Sequence, residues 1–200
     1  MKRSSHIICA SLCAISLFGF TSTAAAQDRP SMEISGGWRF LHSTEIDESF
    51  PAGWYADVAG NVTNAIAIVG EVAGAYKTVE ETVGDFGPPV TVTGTLRLHT
   101  FMGGVRFSAR QHPRVVPFAQ VLFGVARLSA TVEGSATVAG RTTTINESET
   151  ENEFTIDTGG GVNIRLVDNI GVRFGASYVR FGASDGGNAV RVSTGVVIPF

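Results

Sequence analysis

Apolar residues recur at every second position along most of this chain, and a helical period is hard to find. Successive side chains of a strand point to opposite faces, so this alternation predicts half-buried β-strands. Eight segments carry it. They run over about 31–41 (Met32, Ile34, Gly36, Trp38 and Phe40 on one face), 53–61 (Trp54, Ala56, Val58), 65–77 (Ile66, Ile68, Val72, Tyr76) and 96–108 (Phe101, Gly103, Val105, Phe107). The others are 115–129 (Ala119, Val121, Phe123, Val125), 153–165 (Phe154, Ile156, Val162, Ile164), 170–181 (Ile170, Val172, Phe174, Ala176, Tyr178) and 189–200 (Val190, Val192, Val196, Ile198, Phe200). The predicted fold is all-β.

The N-terminus is of another kind. Lys2 and Arg3 precede an apolar run from Ile7 to Phe20, and Ala24-Ala25-Ala26 supplies a small-residue cleavage pattern before Gln27. This is the layout of a secretory signal. Its apolar run of 14 residues falls short of the roughly 20 needed to span a bilayer as a helix. The expected division is a cleaved signal over 1–26 and one β-barrel domain over 27–200, a mature chain of 200 − 26 = 174 residues. Cys9 and Cys13 both leave with the signal, so no disulfide or thiolate metal site is expected. Neither follows a lipoprotein box, so no lipid anchor is expected either.

Charge narrows the function classes. Charged residues are 16% of the chain, against about 25% in ordinary soluble domains. The net charge of −3 becomes −3 − 2 = −5 when Lys2 and Arg3 are removed. Nothing here favours binding a phosphate backbone, and nucleic acid is not an expected partner. Lys77 is the one lysine of the mature chain, beside 12 arginines.

The connections alternate in length. Residues 42–52, 78–95, 130–152 and 182–188 are longer and more polar, and Asp85-Phe86-Gly87-Pro88-Pro89 breaks any strand. Residues 62–64, 109–114 and 166–169 are short. Long connections at one end and short ones at the other, with an even strand number, are the pattern of a barrel in an outer membrane. The second face of each strand agrees. It carries Glu33, Ser35, Arg39, Tyr55, Asp57, Glu71, Thr100, Arg106, Gln120, Thr155, Asp157, Asn163, Arg165, Arg173, Ser177, Arg191 and Ser193, with many Gly and Ala. That face is too poor in charge to wrap a soluble barrel but suits a narrow polar lumen. The bulky opposite face suits lipid. Trp38, Phe40, Trp54, Tyr76, Tyr178 and Phe200, near strand ends, fit interfacial girdles. The alternative is an inverted arrangement, a soluble periplasmic or secreted lipocalin-like barrel holding an apolar ligand.

The chain ends Ser193-Thr194-Gly195-Val196-Val197-Ile198-Pro199-Phe200. Ser193, Gly195, Ile198 and Phe200 stand where the C-terminal assembly signal of outer-membrane proteins has a polar residue, glycine, a hydrophobic residue and a terminal aromatic. Pro199 departs from a plain strand but is tolerable beside the chain end. With the signal segment and the alternating loops, the chain resembles the small eight-stranded outer-membrane β-barrels, the group of the OmpA transmembrane domain and OmpX, often called porin-family proteins. The resemblance is one of pattern over 27–200, and only the last strand matches as a motif. It implies an antiparallel up-and-down transmembrane barrel, integral in a Gram-negative outer membrane. It also implies that the barrel-assembly machinery reads the final strand as an added β-strand.

Within such a barrel, Arg39, Asp57, Glu71, Asp157, Arg173 and Arg191 are expected to form a paired charge network in the lumen. Eight strands leave only enough room for side chains to fill, so a plug is expected rather than a gated ion path. Arg39 and Arg191 should lie close together, because the first and last strands close the barrel. Arg97, Arg127 and Arg180 fall on the lipid-facing parity at the outer ends of their strands, where they are candidates for contact with lipopolysaccharide phosphates. His42, His99 and His112 show no nucleophile–base constellation. Gly159-Gly160-Gly161 reads as close-packed lumen wall, with no helix to make it a phosphate loop. The acidic, Thr/Ser-rich stretch 130–152, with Glu133, Glu147, Glu149 and Glu151, reads as a solvated outer loop. No cofactor or metal is expected. The predicted function is non-enzymatic: envelope integrity or surface interaction, with at most weak pore activity.

Overall fold

The computed structural model describes residues 30–44, 48–83, 90–138, 141–167, 169–182 and 187–200. The expected signal segment and the Asp85–Pro89 breaker lie outside them. The described strands are β1 (Met32–Ser43), β2 (Glu48–Phe50), β3 (Ala52–Asn61), β4 (Ile66–Val83), β5 (Val90–Ser108), β6 (Val115–Val138), β7 (Arg141–Val167), β8 (Ile170–Phe181) and β9 (Asn188–Pro199). Every pairing is antiparallel: β1 pairs with both β2 and β3, consecutive strands from β3 to β9 pair with one another, and β1 also pairs with β9 from Glu33↔Pro199 to Ser43↔Ala189. The sheet therefore closes.

β2 and β3 are one stave of the wall. Both pair with β1, as Leu41↔Phe50 and Trp38↔Trp54. Two residues of β1 thus oppose the three residues 51–53. The extra residue makes a bulge at Pro51, which has no N–H to give the ladder. Counted this way the barrel has eight staves, as the alternation predicts.

The first and last described residues lie at the same end of the barrel, called here the chain-terminal end. Ser31 N donates to Phe200 O at 2.6 Å, and Asn61 N donates to Ser31 O at 2.9 Å. The short connections are at this end too. Thr63 Oγ1 accepts from the Ala65 and Ile66 amides at 3.2 and 3.0 Å, which closes the turn from β3 to β4.

The strands at the other end are longer than the alternation suggests. The expected limits of 65–77, 96–108, 115–129 and 153–165 become Ile66–Val83, Val90–Ser108, Val115–Val138 and Arg141–Val167. Pairing continues out to Val83↔Val90 and Val138↔Arg141. The polar stretch 130–152 is thus mostly a β-hairpin arm rather than a loop. Past the membrane both faces of a strand meet water, so the apolar/polar alternation fades while β-branched Thr and Val still favour extended backbone. The arm is lopsided, because β3 stops pairing with β4 at Ala52↔Tyr76 and β8 stops pairing with β7 at Thr155↔Phe181.

Side-chain burial inverts that of a soluble barrel. Trp38, Trp54, Ile68, Phe101, Phe107, Phe123, Phe154 and Phe174 are exposed, whereas Arg39, Asp57, Glu71, Arg106, Asp157, Arg173 and Arg191 are buried. An apolar exterior over a charged interior is what lipid requires. It is the reverse of the lipocalin-like alternative.

At the β1–β9 seam Gly37 pairs with both Tyr55 and Gly195. A Cβ on Gly195 would stand 2.3 Å from Gly36 O and 2.6 Å from the Tyr55 hydroxyl. Only hydrogen fits there. The folded protein is expected to resist SDS at room temperature and to shift in gel mobility on boiling. Gly195→Val should lower the temperature of that shift, because overpacking of this kind costs about 1–3 kcal/mol. Densitometry of a temperature series gives the comparison.

Candidate functional site

The alternation aims one side chain in two into a lumen a few residues wide, and the charged ones meet there from across the barrel. They form two groups. Near the chain-terminal end, Asp57 on β3 sits between two arginines. Its Oδ2 accepts from Arg173 Nη1 of β8 at 2.7 Å and its Oδ1 from Arg106 Nη1 of β5 at 3.2 Å. Ser35 Oγ also donates to Asp57. Arg173 further bonds Asn163 Oδ1 at 2.8 Å and Ser35 Oγ at 2.6 Å, and Arg106 Nε donates to Gln120 Oε1 at 3.0 Å. Glu33 lies below, 2.6 Å from Arg110 Nη2 and 3.5 Å from Arg173 Nη2.

The second group lies toward the arm. Glu71 Oε1 on β4 is 3.0 Å from Arg39 Nη2 and 3.4 Å from Arg191 Nη1. Arg191 Nη2 also pairs with Asp157, which accepts from Ser177 Oγ at 3.2 Å. Arg39 and Arg191 thus meet on one carboxylate. The side chains of Asp57, Glu71 and Asp157 are at most 2% exposed. Charges buried to this degree are tolerable only when paired and hydrogen-bonded.

Two aromatic rings support these pairs. Arg106 and Arg173 lie over the Phe118 ring at 5.1 and 5.0 Å from its centre, and Arg39 lies over Tyr55 at 4.9 Å. These are cation–π distances. The rings need smooth wall beneath them, and glycine supplies it. A Cβ on Gly161 would come 2.9 Å from Phe118 Cζ, and one on Gly195 meets the Tyr55 hydroxyl. The run Gly159–Gly161 is close-packed wall against β6 and β8. Between the two groups lies a cavity of about 20 Å³ bordered by Arg39, Tyr55, Asp57, Glu71, Arg106 and Arg173 among others. That is room for about one water molecule. Arg39 Nε and Tyr55 Oη, on its border, have no hydrogen-bond partner among the described residues.

Apolar residues occupy the remaining lumen. Leu41, Phe50, Leu98 and Val179 form a buried cluster toward the arm, with Leu96 and Phe181 packed against it. Val69, Met102 and Leu122 form another on the β3–β6 side.

The other predicted positions fall as follows. Arg97, Arg127 and Arg180 are exposed on the outer wall. Ser193, Gly195 and Ile198 lie in β9 and Phe200 follows it, all along the seam with β1. Arg165, placed by parity on the lumen face, is exposed and borders an open bay of about 850 Å³ at the chain-terminal mouth, together with His112. His99 Nε2 is 3.2 Å from the Tyr76 hydroxyl and His42 Nδ1 is 2.9 Å from Ser49 Oγ. Among the described residues no group of three His, Cys, Asp or Glu is placed to hold a metal ion.

The predicted network omits half of the real one. Glu33, Ser35, Arg106, Gln120 and Asn163 stand on the lumen parity, and Arg110, assigned to a turn, reaches back inside. The spacing Arg106–Ser108–Arg110 keeps one face through the strand end, and that period-2 signal could have found it. Phe118 shares the lumen parity of Gln120, but nothing in its spacing marks it as a platform for two arginines.

A closed β-barrel with an apolar outer wall and paired charges buried in its lumen is an integral protein of the outer membrane. The family model described as the outer membrane protein beta-barrel domain matches residues 10–200, and the chain belongs to that family. Among solved structures it is similar to Ail, the attachment invasion locus protein of Yersinia pestis, in complex with the heparin analogue sucrose octasulfate. The identity is 17% over 86% of this chain and 99% of that one, with a TM-score of 0.55. It is also similar to Neisserial surface protein A (12% identity, 84% and 96% coverage, TM-score 0.47). The outer membrane protease OmpT from Escherichia coli aligns as well (8% identity, 90% and 99% coverage, TM-score 0.46). No curated protein matches the sequence significantly. At these identities the likeness concerns the fold.

Asp57→Ala leaves Arg106 and Arg173 buried beside each other without their shared anion. Breaking a buried pair in this way costs about 3–5 kcal/mol. The variant should unfold at clearly lower urea concentration than wild type in detergent micelles, and Asp57→Asn should fall between them.

Proposed function

We propose that the protein is a non-enzymatic, sealed outer-membrane barrel serving envelope integrity and contact at the cell surface, with at most weak pore activity. The observation that carries this reading is the filling of the lumen. An apolar cluster (Leu41, Phe50, Leu98, Val179) follows two ion-pair groups along the bore, and the cavity between the groups holds about 20 Å³. A lumen of eight strands has little space to spare.

The non-enzymatic part rests on the histidines. The His42–Ser49 contact is a cross-strand pair, and β1 around it is engaged with β2 and β9. A hydrolase would need oxyanion donors beside that pair. Export through the N-terminal segment, and recognition of Ser193, Gly195, Ile198 and Phe200 by the barrel-assembly machinery, belong to the same reading. So does contact between outer-leaflet lipopolysaccharide and Arg97, Arg127 and Arg180. The protruding arm gives the surface role a structural basis, since it carries sheet well past the apolar wall.

Planar-bilayer recording tests the seal. The reconstituted wild type should show only rare, small openings. Glu71→Gln, which loosens Arg39 and Arg191, should raise their frequency several-fold. A steady open level in the wild type would overturn the sealed reading.

A further inference from the structure

The two faces of the arm are unlike. The outer face is hydroxylic: Ser129 Oγ lies 3.3 Å from Thr150 Oγ1, and Thr131 Oγ1 lies 3.5 Å from Ser148 Oγ. The inner face is not. Thr155 and Asp157 are buried on the lumen side of β7, so by alternation Glu153, Glu151, Glu149 and Glu147 carry that side outward. The register lays an apolar floor beside them. One row across β4–β7 is Val79, Gly94, Val132 and Glu147, and a lower one is Ala75, Leu98, Leu128 and Glu151. Between them lie Leu96, Ala130 and Glu149, with Lys77 at the β4 end. The glutamates also follow the free edge of the sheet, because β8 leaves β7 at Thr155↔Phe181.

This face is unpartnered among the described residues. Val79, Leu128 and Val132 are 44%, 37% and 44% exposed, although Leu96 and Leu98 beside them join the buried cluster of the bore. The four glutamates are exposed, and none forms an ion pair among the described residues. Solvation alone would favour hydroxyls on both faces. Carboxylates on alternate residues of a strand stand about 6.8 Å apart, and none of them belongs to a group placed to hold a metal ion. They make a rail for separate cations. An anionic glycan or lipid is repelled there, and a second copy of this chain would set a like rail against it.

We propose that the inner face of the arm docks a cationic amphipathic helix of a partner polypeptide. The apolar side of that helix lies on Val79, Leu96, Leu128 and Val132, and its lysines or arginines reach Glu147, Glu149, Glu151 and Glu153. The dimensions agree. Four strands span about 14 Å, which holds one helix about 10 Å across. Cations four residues apart in a helix rise about 6 Å, close to the spacing of the rail. A helix laid by its apolar stripe on a hydrophobic surface is a recurring mode of recognition. A basic strand added along the free β7 edge would meet the carboxylates but leave the floor in water. The inference rests on the surface-contact reading above and names the chemistry of the partner.

The test uses the folded full-length protein in nanodiscs of zwitterionic phospholipid, with the signal of empty nanodiscs subtracted. The readout is fluorescence anisotropy of a labelled leucine/lysine peptide of helical period, about 14 residues and 21 Å long. It should bind in saturable fashion. Glu147→Gln/Glu149→Gln/Glu151→Gln should weaken it about tenfold, since three exposed ion pairs of small individual worth are lost. Leu128→Ser/Val132→Ser should weaken it several-fold through lost apolar contact. Glu80→Gln/Glu133→Gln, on the outer face, should leave it within twofold. A peptide of the same composition with strictly alternating period, and the helical peptide with glutamate for lysine, should each bind at least tenfold more weakly. Wild-type affinity in the triple glutamine variant or in the serine variant overturns the proposal. So does an equal loss in the outer-face variant, or equal binding of either control peptide. The mobility shift on boiling shows that each variant is folded; if the serine variant is not, Leu128→Ala/Val132→Ala replaces it with the same expectation. A failure of the surface reading is distinguishable. Ser148→Cys in intact cells should react with a membrane-impermeant maleimide, and no reaction there would sink that reading whatever the peptide does.

Discussion

Closure of β1 on β9 is the constraint from which the rest of this structure descends. In lipid an unpaired peptide group has no solvent partner, so a sheet that crosses a bilayer must have no edge. Closing eight staves fixes the bore, and a fixed bore has to be filled by whatever the inward positions carry. The inward positions of a membrane barrel cannot all be large and apolar, because the large apolar residues are needed outside. Several of them carry charge here, and charge in so narrow a space must be paired.

That matching explains why small residues and arginine go together here. A guanidinium is long and flat, and it gains from stacking on a ring as well as from a fork of donors. Phe118 and Tyr55 provide the rings. Each ring can turn into the bore only because the wall beside it lacks side chains, at Gly161 and at Gly195. The glycines therefore act at a distance on the electrostatics. They set where an aromatic lies, the aromatic sets where an arginine lies, and the arginine meets Asp57 or Glu71.

Much of this was legible in the chain. Strand number, the face that meets lipid, the inward direction of Arg39, Asp57, Glu71, Asp157, Arg173 and Arg191, and the tightness of Gly159–Gly161 all follow from a period of two. What escaped that reading did so for definite reasons. The arm formed by the outer halves of β4–β7 has water on both faces, so no burial contrast marks its Thr, Ser and Val residues as strand. Arg110 sits past the end of β5, where a turn was the natural expectation. The separation of the lumen charges into two groups depends on side-chain reach across the bore, which parity does not encode. Phe118 as a platform for two arginines depends on the same thing.

The lumen contacts also say something about how such a barrel can come together. Arg173 and Asp57 are 116 residues apart, and Arg173 and Ser35 are 138 apart. Arg39 from the first stave and Arg191 from the last meet on Glu71 from a third. Arg39 and Glu71 stand two staves apart and can meet before closure, but the bonds that Arg173 and Arg191 make to Ser35, Asp57 and Glu71 wait for the two ends of the sheet to meet. A half-closed sheet in a bilayer would present these charges to lipid at about 2–4 kcal/mol for each arginine near the midplane. Pairing them removes that penalty at one moment, so the bonds work as a latch. They make the partly open barrel the unstable species and tie the first and last strands into a single cooperative step.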